Sequence, residues 1–349
     1  MKGQVLVTGG TGYIGSHTTV ELMKKGFEVV IVDNLSNSKI EVLDGIEKIT
    51  GKRPIFEHFD LCDKQKTDNF FEKYPDLNSV IHFAAYKAVS ESVAQPLKYY
   101  RNNLISLINL LEAMIFYRVP NLVFSSSSTV YGQPDNLPVT ENTPFQMANS
   151  PYGSTKQISE EIIQDTISAN SHIKTISLRY FNPIGAHPSS FIGELPISIP
   201  ENLVPSITQT AIGRRKQLKV FGNDYNTPDG SCIRDYINVV DLSKAHVISI
   251  KRLLENKNKS NFEIFNLGTG EGISVLEVID TFEKITGKKL NYEIVGRRHG
   301  DVEQIFSDVT LANNELGWKT EIPLDQTLIS AWNWEKYYRN LTNKKSEII

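Results

Sequence analysis

The chain has 349 residues, 40% of them hydrophobic and 22% charged, with a formal net charge of −3. This is ordinary globular composition, enough for one large domain or two smaller ones. It argues against a nucleic-acid or membrane surface, and no apolar run reaches the about 20 residues that cross a bilayer.

The first residues, MKGQVLVTGG, read as a strand and a glycine turn, so no signal peptide is expected. Cys62 and Cys232 form no disulfide framework and no C-x-x-C motif, which suits reduced thiols in a cytoplasmic protein. Over the first 180 residues, short apolar runs alternate with helical stretches. Gln4–Thr8, Glu28–Val32, Val80–Phe83, Leu122–Ser126 and Thr175–Leu178 read as strands buried on both faces, as in parallel sheets covered by helices. Ser16–Lys25 reads as a helix ended by Gly26. The alternation predicts an α/β fold: a Rossmann-type, doubly wound parallel sheet over 1–180. Past Arg179 the period is lost. Phe181–Pro205 is rich in Pro, Gly and Ser and reads as loops opening a smaller α/β region over 181–349, with the chain free to cross between the two. Within it, Ser274 and Glu277 form a capping-box pattern, Gly287 ends the helix they open, and Leu290–Val295 reads as a strand.

The first strand runs into Gly9, Gly10, Gly12 and Gly15 of TGGTGYIGSH, and a helix follows. Either G-x-x-G-x-x-G or G-x-G-x-x-G spacing alone is a weak signal; between a strand and a helix it reads as a dinucleotide site. Missing Cβ atoms let backbone N–H groups approach a pyrophosphate lying at the helix N-terminus. Asp33 ends the second strand eighteen residues after Gly15, where a carboxylate can accept both adenosine ribose hydroxyls. It would repel a 2′-phosphate, and Asn34 offers no cation to pair with one, so the expected cofactor is NAD.

Ser150-Pro151-Tyr152-Gly153-Ser154-Thr155-Lys156 carries the chemistry. Ser150 is a good N-cap and Pro151 a good first helical residue, which puts Tyr152 in the first turn and Lys156 one turn on. A nearby ammonium, the positive helix end and an oxidised nicotinamide would each favour the phenolate of Tyr152. That group could then take a proton from a substrate hydroxyl while hydride leaves its carbon. Taken alone, Y-x-x-x-K is also a plain surface pair; the glycine loop upstream favours the chemical reading. Ser125-Ser126-Ser127-Ser128-Thr129-Val130-Tyr131-Gly132 follows a buried strand and falls at the carboxyl edge of the sheet, where ligands bind in such folds. A polar turn would look the same.

From GGTGYIGSH through HFAAYKAV, SSSSTVYG, SPYGSTK, RYFNPIGAHPS, GRR, FGNDY, RDYINVVDL, NLGTG and RRHGD, the sequence resembles the UDP-glucose 4-epimerase family of the extended short-chain dehydrogenases. The resemblance implies tightly held NAD, removal of hydride from C4 of a UDP-sugar and its return to the other face, which interconverts UDP-glucose and UDP-galactose. It implies Tyr152 as base, Lys156 on the nicotinamide ribose and Ser127 as proton-transfer partner. Around NAD it places Gly9, Gly12, Tyr13, Ile14, Gly15, Asp33, Asn34, Asn37, Asp60, Leu61, Phe83, Ala84, Lys87, Asn102 and Phe181. Around the UDP group it places Asn182, Asn202, Arg234, Arg298 and Asp301, although the two arginines could equally be surface ion pairs. FAAYK departs from the family's usual FAGLK at Ala85 and Tyr86. Ile305, four residues after Asp301, stands where the family sets the width of the sugar pocket. A homodimer through helices like Leu97–Tyr117 and Tyr152–Ser168 is implied by analogy.

Three rivals remain. A nucleotide-sugar 4,6-dehydratase or decarboxylase would share the fold, and a dehydratase would carry an Asp-Glu pair where Ser128 and Thr129 stand. An epimerase of another UDP-sugar (UDP-N-acetylglucosamine, UDP-glucuronate or a UDP-pentose) would differ only around the sugar. A silent NAD-binding scaffold would need none of Ser127, Tyr152 and Lys156 together. No metal is expected, since the seven histidines form no ligand pattern.

Overall fold

A computed structural model describes residues 3–197, 200–298 and 300–346. In chain order its first half runs β1 (Gln4–Thr8), α1 (Tyr13–Lys24), β2 (Glu28–Asp33), α2 (Val42–Thr50), β3 (Ile55–His58), α3 (Lys64–Lys73), β4 (Leu77–His82), α4 (Val89–Ala94), α5 (Pro96–Phe116), β5 (Asn121–Ser125), α6 (Pro151–Ala169) and β6 (Lys174–Tyr180). There follow β7 (Asn182–Ile184), α7 (Leu203–Ala211), β8 (Leu218–Phe221), β9 (Ile233–Arg234), β10 (Tyr236–Asn238), α8 (Val239–Leu254), β11 (Phe262–Leu267), β12 (Ile273–Ser274), α9 (Val275–Thr286), β13 (Tyr292–Val295), β14 (Gln304–Ile305) and α10 (Leu324–Ser346).

A seven-stranded sheet in the order β11-β6-β5-β4-β1-β2-β3 forms the centre, parallel throughout. The apolar residues of β1, β2, β4, β5 and β6 divide between two buried clusters, one on each face. Val5, Val7 and Ile31 pack with α1 and α8, while Leu6, Val30 and Val80 pack with α3, α5 and α6. This is the doubly wound arrangement expected. The expected strands all form, with ends shifted by up to three residues, and the first helix starts at Tyr13 rather than Ser16. Two strands of this sheet lie outside the expected set. β3 is an edge strand with no fully buried residue, so IFEH shows no apolar run. β11 comes from beyond residue 180 and closes the sheet beside β6.

Phe181–Pro205 is less irregular than its composition suggests. β7 forms within it and pairs in parallel with β10. A third apolar cluster, including Val204, Ile207, Val220, Val278, Phe282 and Trp332, gathers α7, α9, α10 and the β13–β8 pair. The Ser274–Glu277 capping box is present, with Gly287 in the left-handed conformation after α9. β9 is flanked by β12 and β14, which brings Arg234 beside Ile305.

Strand order reverses between β1 and β4, whose carboxyl ends diverge into helices on opposite faces. A crevice at such a switch point is the ligand site of open α/β sheets. No helix among the described residues is long and apolar enough to cross a membrane.

Candidate active site

The glycine loop sits at that switch point. Gly9 has φ +68° and donates from its N to Val32 O at 2.8 Å, locking the loop to β2. A Cβ on Gly9 would lie 2.9 Å from Ala84 N, and one on Gly15 would lie 2.2 Å from Gly9 O. Neither gap admits a side chain, so the loop folds tightly and bare backbone faces the crevice. Gly12 caps α1 without any side-chain bond, and the first turn holds no acidic residue. The leading N–H groups of α1 are thus left for an anion, with the positive helix end behind them. These features fit a dinucleotide pyrophosphate.

Asp33, buried at the end of β2, accepts from Thr11 N (3.2 Å), Leu35 N (2.9 Å) and Ser38 Oγ (3.1 Å). Asn34 donates to Asp60 Oδ2 at 2.9 Å, joining the ends of β2 and β3, and Leu61 is buried beside them. Asn37 is exposed on the loop after β2. Ile14 packs partly buried against the core, and Tyr13 donates its hydroxyl to Gly185 O at 2.6 Å. Phe83 and Ala84 follow β4, and Ala84 N donates to Thr8 Oγ1 at 3.3 Å. Tyr86, at a departure from the family pattern, is held by Asn103 through its N at 2.9 Å. Asn102 donates to Asn103 Oδ1 at 2.9 Å.

Ser150 caps α6 through Gly153 N, with Pro151 as the first helical residue, so Tyr152 and Lys156 fall on one helix face. Both are buried. Burial pushes the Tyr152 phenol up to about 12, and a hydrogen bond with Ser127 works the other way. Burial draws Lys156 down to about 8, with Glu160 opposing. The phenolate expected from the Lys156 spacing is not favoured in the chain by itself: burial dominates, and it is Ser127, not Lys156, that acts against it. The Lys156 ammonium donates to Ser125 O at 2.5 Å and lies 4.8 Å from the centre of the Phe124 ring. Ser127, just past β5, accepts from Thr129 N at 3.2 Å. The Ser125 and Tyr180 hydroxyls also bond to each other.

In the second region, Arg298 forks onto Asp301 (Nη2–Oδ1 2.8 Å, Nε–Oδ2 3.2 Å), and Arg234 Nη2 lies 4.0 Å from the same carboxylate. Arg298 also lies over the Phe221 ring, 5.1 Å from its centre. The two arginines are therefore clustered around one acid. Asn182 donates from its N to Asp235 O at 2.9 Å. Asn202 stands at the N-cap position of α7, where its side chain makes no capping bond and donates instead to Glu194 Oε1 at 2.6 Å; the same oxygen is 3.3 Å from Lys87 Nζ. Glu194 thus ties the loop after β4 to the start of α7, and the motifs gave no sign of it. Ile305 is buried with Val130, Tyr131, Val139 and Phe181. Asp235 also lies outside the predicted site residues: it accepts from Thr269 N and Oγ1 (both 2.7 Å) and Ser307 Oγ (2.6 Å), holding β10, β11 and the segment after β14 together. Its signal was the acid within RDYINVVDL.

A parallel nucleotide-binding sheet, with a tyrosine and a lysine one turn apart on the helix after β5, defines the extended short-chain dehydrogenase class. Residues 6–330 match the GDP-mannose 4,6 dehydratase family. The UDP-glucose 4-epimerase of Dictyostelium discoideum is 49% identical over 337 residues, covering 97% of each chain; that of Bacillus subtilis (strain 168) is 49% identical over 331 residues, covering 95% of this chain and 96% of that one. The crystal structure of UDP-glucose 4-epimerase from Bifidobacterium longum in complex with NAD+ and UDP superposes with a TM-score of 0.92 at 44% identity, covering 97% of this chain and 99% of that one. The chain belongs to the UDP-glucose 4-epimerase family.

Proposed function

We propose that this protein interconverts UDP-glucose and UDP-galactose by transient oxidation at C4 of the sugar, with NAD as its resident cofactor. The observation that carries the reading is near-half identity over almost the whole chain to enzymes of that activity. When bound, NAD supplies the hydride acceptor and donor and, while oxidised, a positive ring. Tyr152 takes the proton of the C4 hydroxyl at its Oη and later returns it, and Ser127 hydrogen-bonds the same oxygens. Lys156 binds the nicotinamide ribose and, with the N-terminus of α6 and the positive ring of oxidised NAD, works against the burial that disfavours phenolate.

Gly9, Gly12, Tyr13, Ile14 and Gly15 hold the pyrophosphate of NAD, and Asp33, Asn34, Asn37, Asp60 and Leu61 its adenosine end. Phe83, Ala84, Lys87, Asn102 and Phe181 line the rest of the cofactor site. The UDP group is held by Asn182, Asn202, Arg234, Arg298 and Asp301. Asp301 keeps Arg298 oriented, so less side-chain freedom is lost when a diphosphate arrives. Affinity placed on UDP leaves the sugar free to turn over between the two hydride transfers. Residues 1–180, with α8 and β11 added, form the NAD-binding unit; the rest mainly holds UDP-sugar. Dehydration across C5 and C6 is disfavoured because Ser128 and Thr129 offer hydroxyls where that reaction needs an acid and a base.

Substrate carrying deuterium at C4 is expected to keep the label at C4 through many turnovers. Loss of label to solvent would rule out hydride transfer through a retained cofactor.

Ile305 sets the pocket width. It lacks the ring and hydroxyl of tyrosine yet is stiff at χ1, so UDP-glucose and UDP-galactose are the better substrates and UDP-N-acetylglucosamine a weaker one. Ile305→Tyr should lower, and Ile305→Ala raise, the kcat/KM ratio of acetylated to plain sugars by about 10-fold. An unchanged ratio in both variants would reduce Ile305 to packing.

The enzyme works in the cytoplasm as a homodimer joined through α5 and α6. On α5, Leu97, Ile105, Ile108 and Phe116 are exposed within one helical face, an apolar stripe that a second copy would cover.

A further inference from the structure

Tyr152, Lys156 and Glu160 follow one another at intervals of four on α6 and share one face. The first two have roles in the reading above; Glu160 has none. Its Oε1 accepts from Ser126 Oγ at 2.5 Å, Ser177 Oγ at 2.8 Å and Arg179 Nε at 3.1 Å, and its Oε2 accepts from Arg179 Nη2 at 2.6 Å. Ser126, Glu160, Ser177 and Arg179 are all buried.

A buried ion pair is a weak source of stability, because apolar residues of similar volume often serve as well. Apolar residues could not, however, hold Ser126. That serine lies between two working groups. On one side is Ser125, whose carbonyl receives the Lys156 ammonium; on the other is Ser127, the partner of Tyr152. β5 ends at Ser125; Ser126 N still donates to Leu178 O of β6 at 3.0 Å, and its side chain, held by Glu160, is the second anchor at that point.

We propose that Glu160 is a positioning residue: through Ser126 it fixes the Ser125 carbonyl against Lys156 and the Ser127 hydroxyl beside Tyr152. One turn from Lys156 on the same face of α6, its carboxylate also stands as a countercharge to the ammonium. The inference rests on the assignment of Tyr152 and Lys156 above. The surroundings of Lys156 support it. His82 on β4 is drawn down to about 3, by burial and then by Lys156, and carries no charge. Tyr180 on β6 is raised by burial and then by Tyr152, and is neutral. Arg179, also on β6, is committed to Glu160 and, through Nη1, to Tyr131 Oη at 3.1 Å and Glu141 O at 3.2 Å. Against the burial of Lys156, the opposing charge is that of Glu160.

Two variants separate this role from a structural one. Ser126→Ala cuts one link and leaves the ion pair whole. Glu160→Gln combined with Arg179→Met removes both charges, so that neither is left buried alone. Each is measured beside the wild type for melting temperature, KM for UDP-galactose, kcat, and the pH profile of kcat/KM. Ser126→Ala is expected to keep its KM and lose about 10- to 100-fold in kcat, as for a misplaced reacting group. In the double variant Lys156 loses its proton more readily, so the alkaline limb of the profile moves to lower pH. Wild-type kcat in Ser126→Ala overturns the positioning role and settles the question even if the double variant fails to fold. An unmoved alkaline limb in a folded double variant overturns the electrostatic part. If the wild type itself does not interconvert the sugars, or Tyr152→Phe keeps full activity, the assignment of the site fails and takes this inference with it.

Discussion

Tyr152→Phe is expected to fold, to purify with NAD and to lose about 10²–10⁴ in kcat, the usual cost of removing a general base. The change removes one oxygen and keeps the ring of a residue that is only 9% exposed, so packing is preserved. Ser127 acts on the hydroxyl against burial, and losing even a full hydrogen bond there would cost about 1 kcal/mol of stability, far less than a domain's total. The two effects therefore separate cleanly. A melting curve and the spectrum of the purified protein report fold and cofactor, and turnover of UDP-galactose reports chemistry. Full turnover in a folded, NAD-loaded variant would remove Tyr152 from its assigned role.

Gly15→Ala is expected to act on the cofactor. A Cβ there would sit 2.2 Å from Gly9 O and 2.9 Å from Gly10 Cα, and both are backbone atoms of the loop itself. Backbone cannot swing aside as a flexible side chain can, so the loop must open. The expected result is a protein less stable by about 1–3 kcal/mol, the usual cost of overpacking, that purifies without NAD. Gly296→Ala serves as the control, because a Cβ there meets nothing within 4 Å. Its melt and cofactor content should match the wild type. A Gly15→Ala protein with a full NAD complement would mean that the cradle is built elsewhere.

These residues are unevenly legible in the sequence, for physical reasons. β1, β2 and β5 are almost wholly buried, so apolar runs mark them, whereas β3 has no buried face to mark. The glycine loop, Asp33 and Tyr152–Lys156 are local in the chain, with spacing that a helix or a turn makes meaningful. Glu160 continued the same four-residue spacing, but its importance lies in Ser126, Ser177 and Arg179, which come from other strands and loops. Glu194 and Asp235 are likewise ordinary acids until the fold gathers their partners. The Tyr152 phenol shows the same limit: the neighbouring lysine was legible, and the burial that raises the phenol was not.

The measurement that bears most directly on the account is incubation of the purified protein with UDP-galactose, without added NAD, followed by separation of the nucleotide sugars. The account predicts that UDP-glucose accumulates to an equilibrium mixture, that the same mixture is reached from UDP-glucose, and that no net NADH forms. Unchanged UDP-galactose from a folded, NAD-loaded protein, or conversion to a dehydrated sugar, would contradict it.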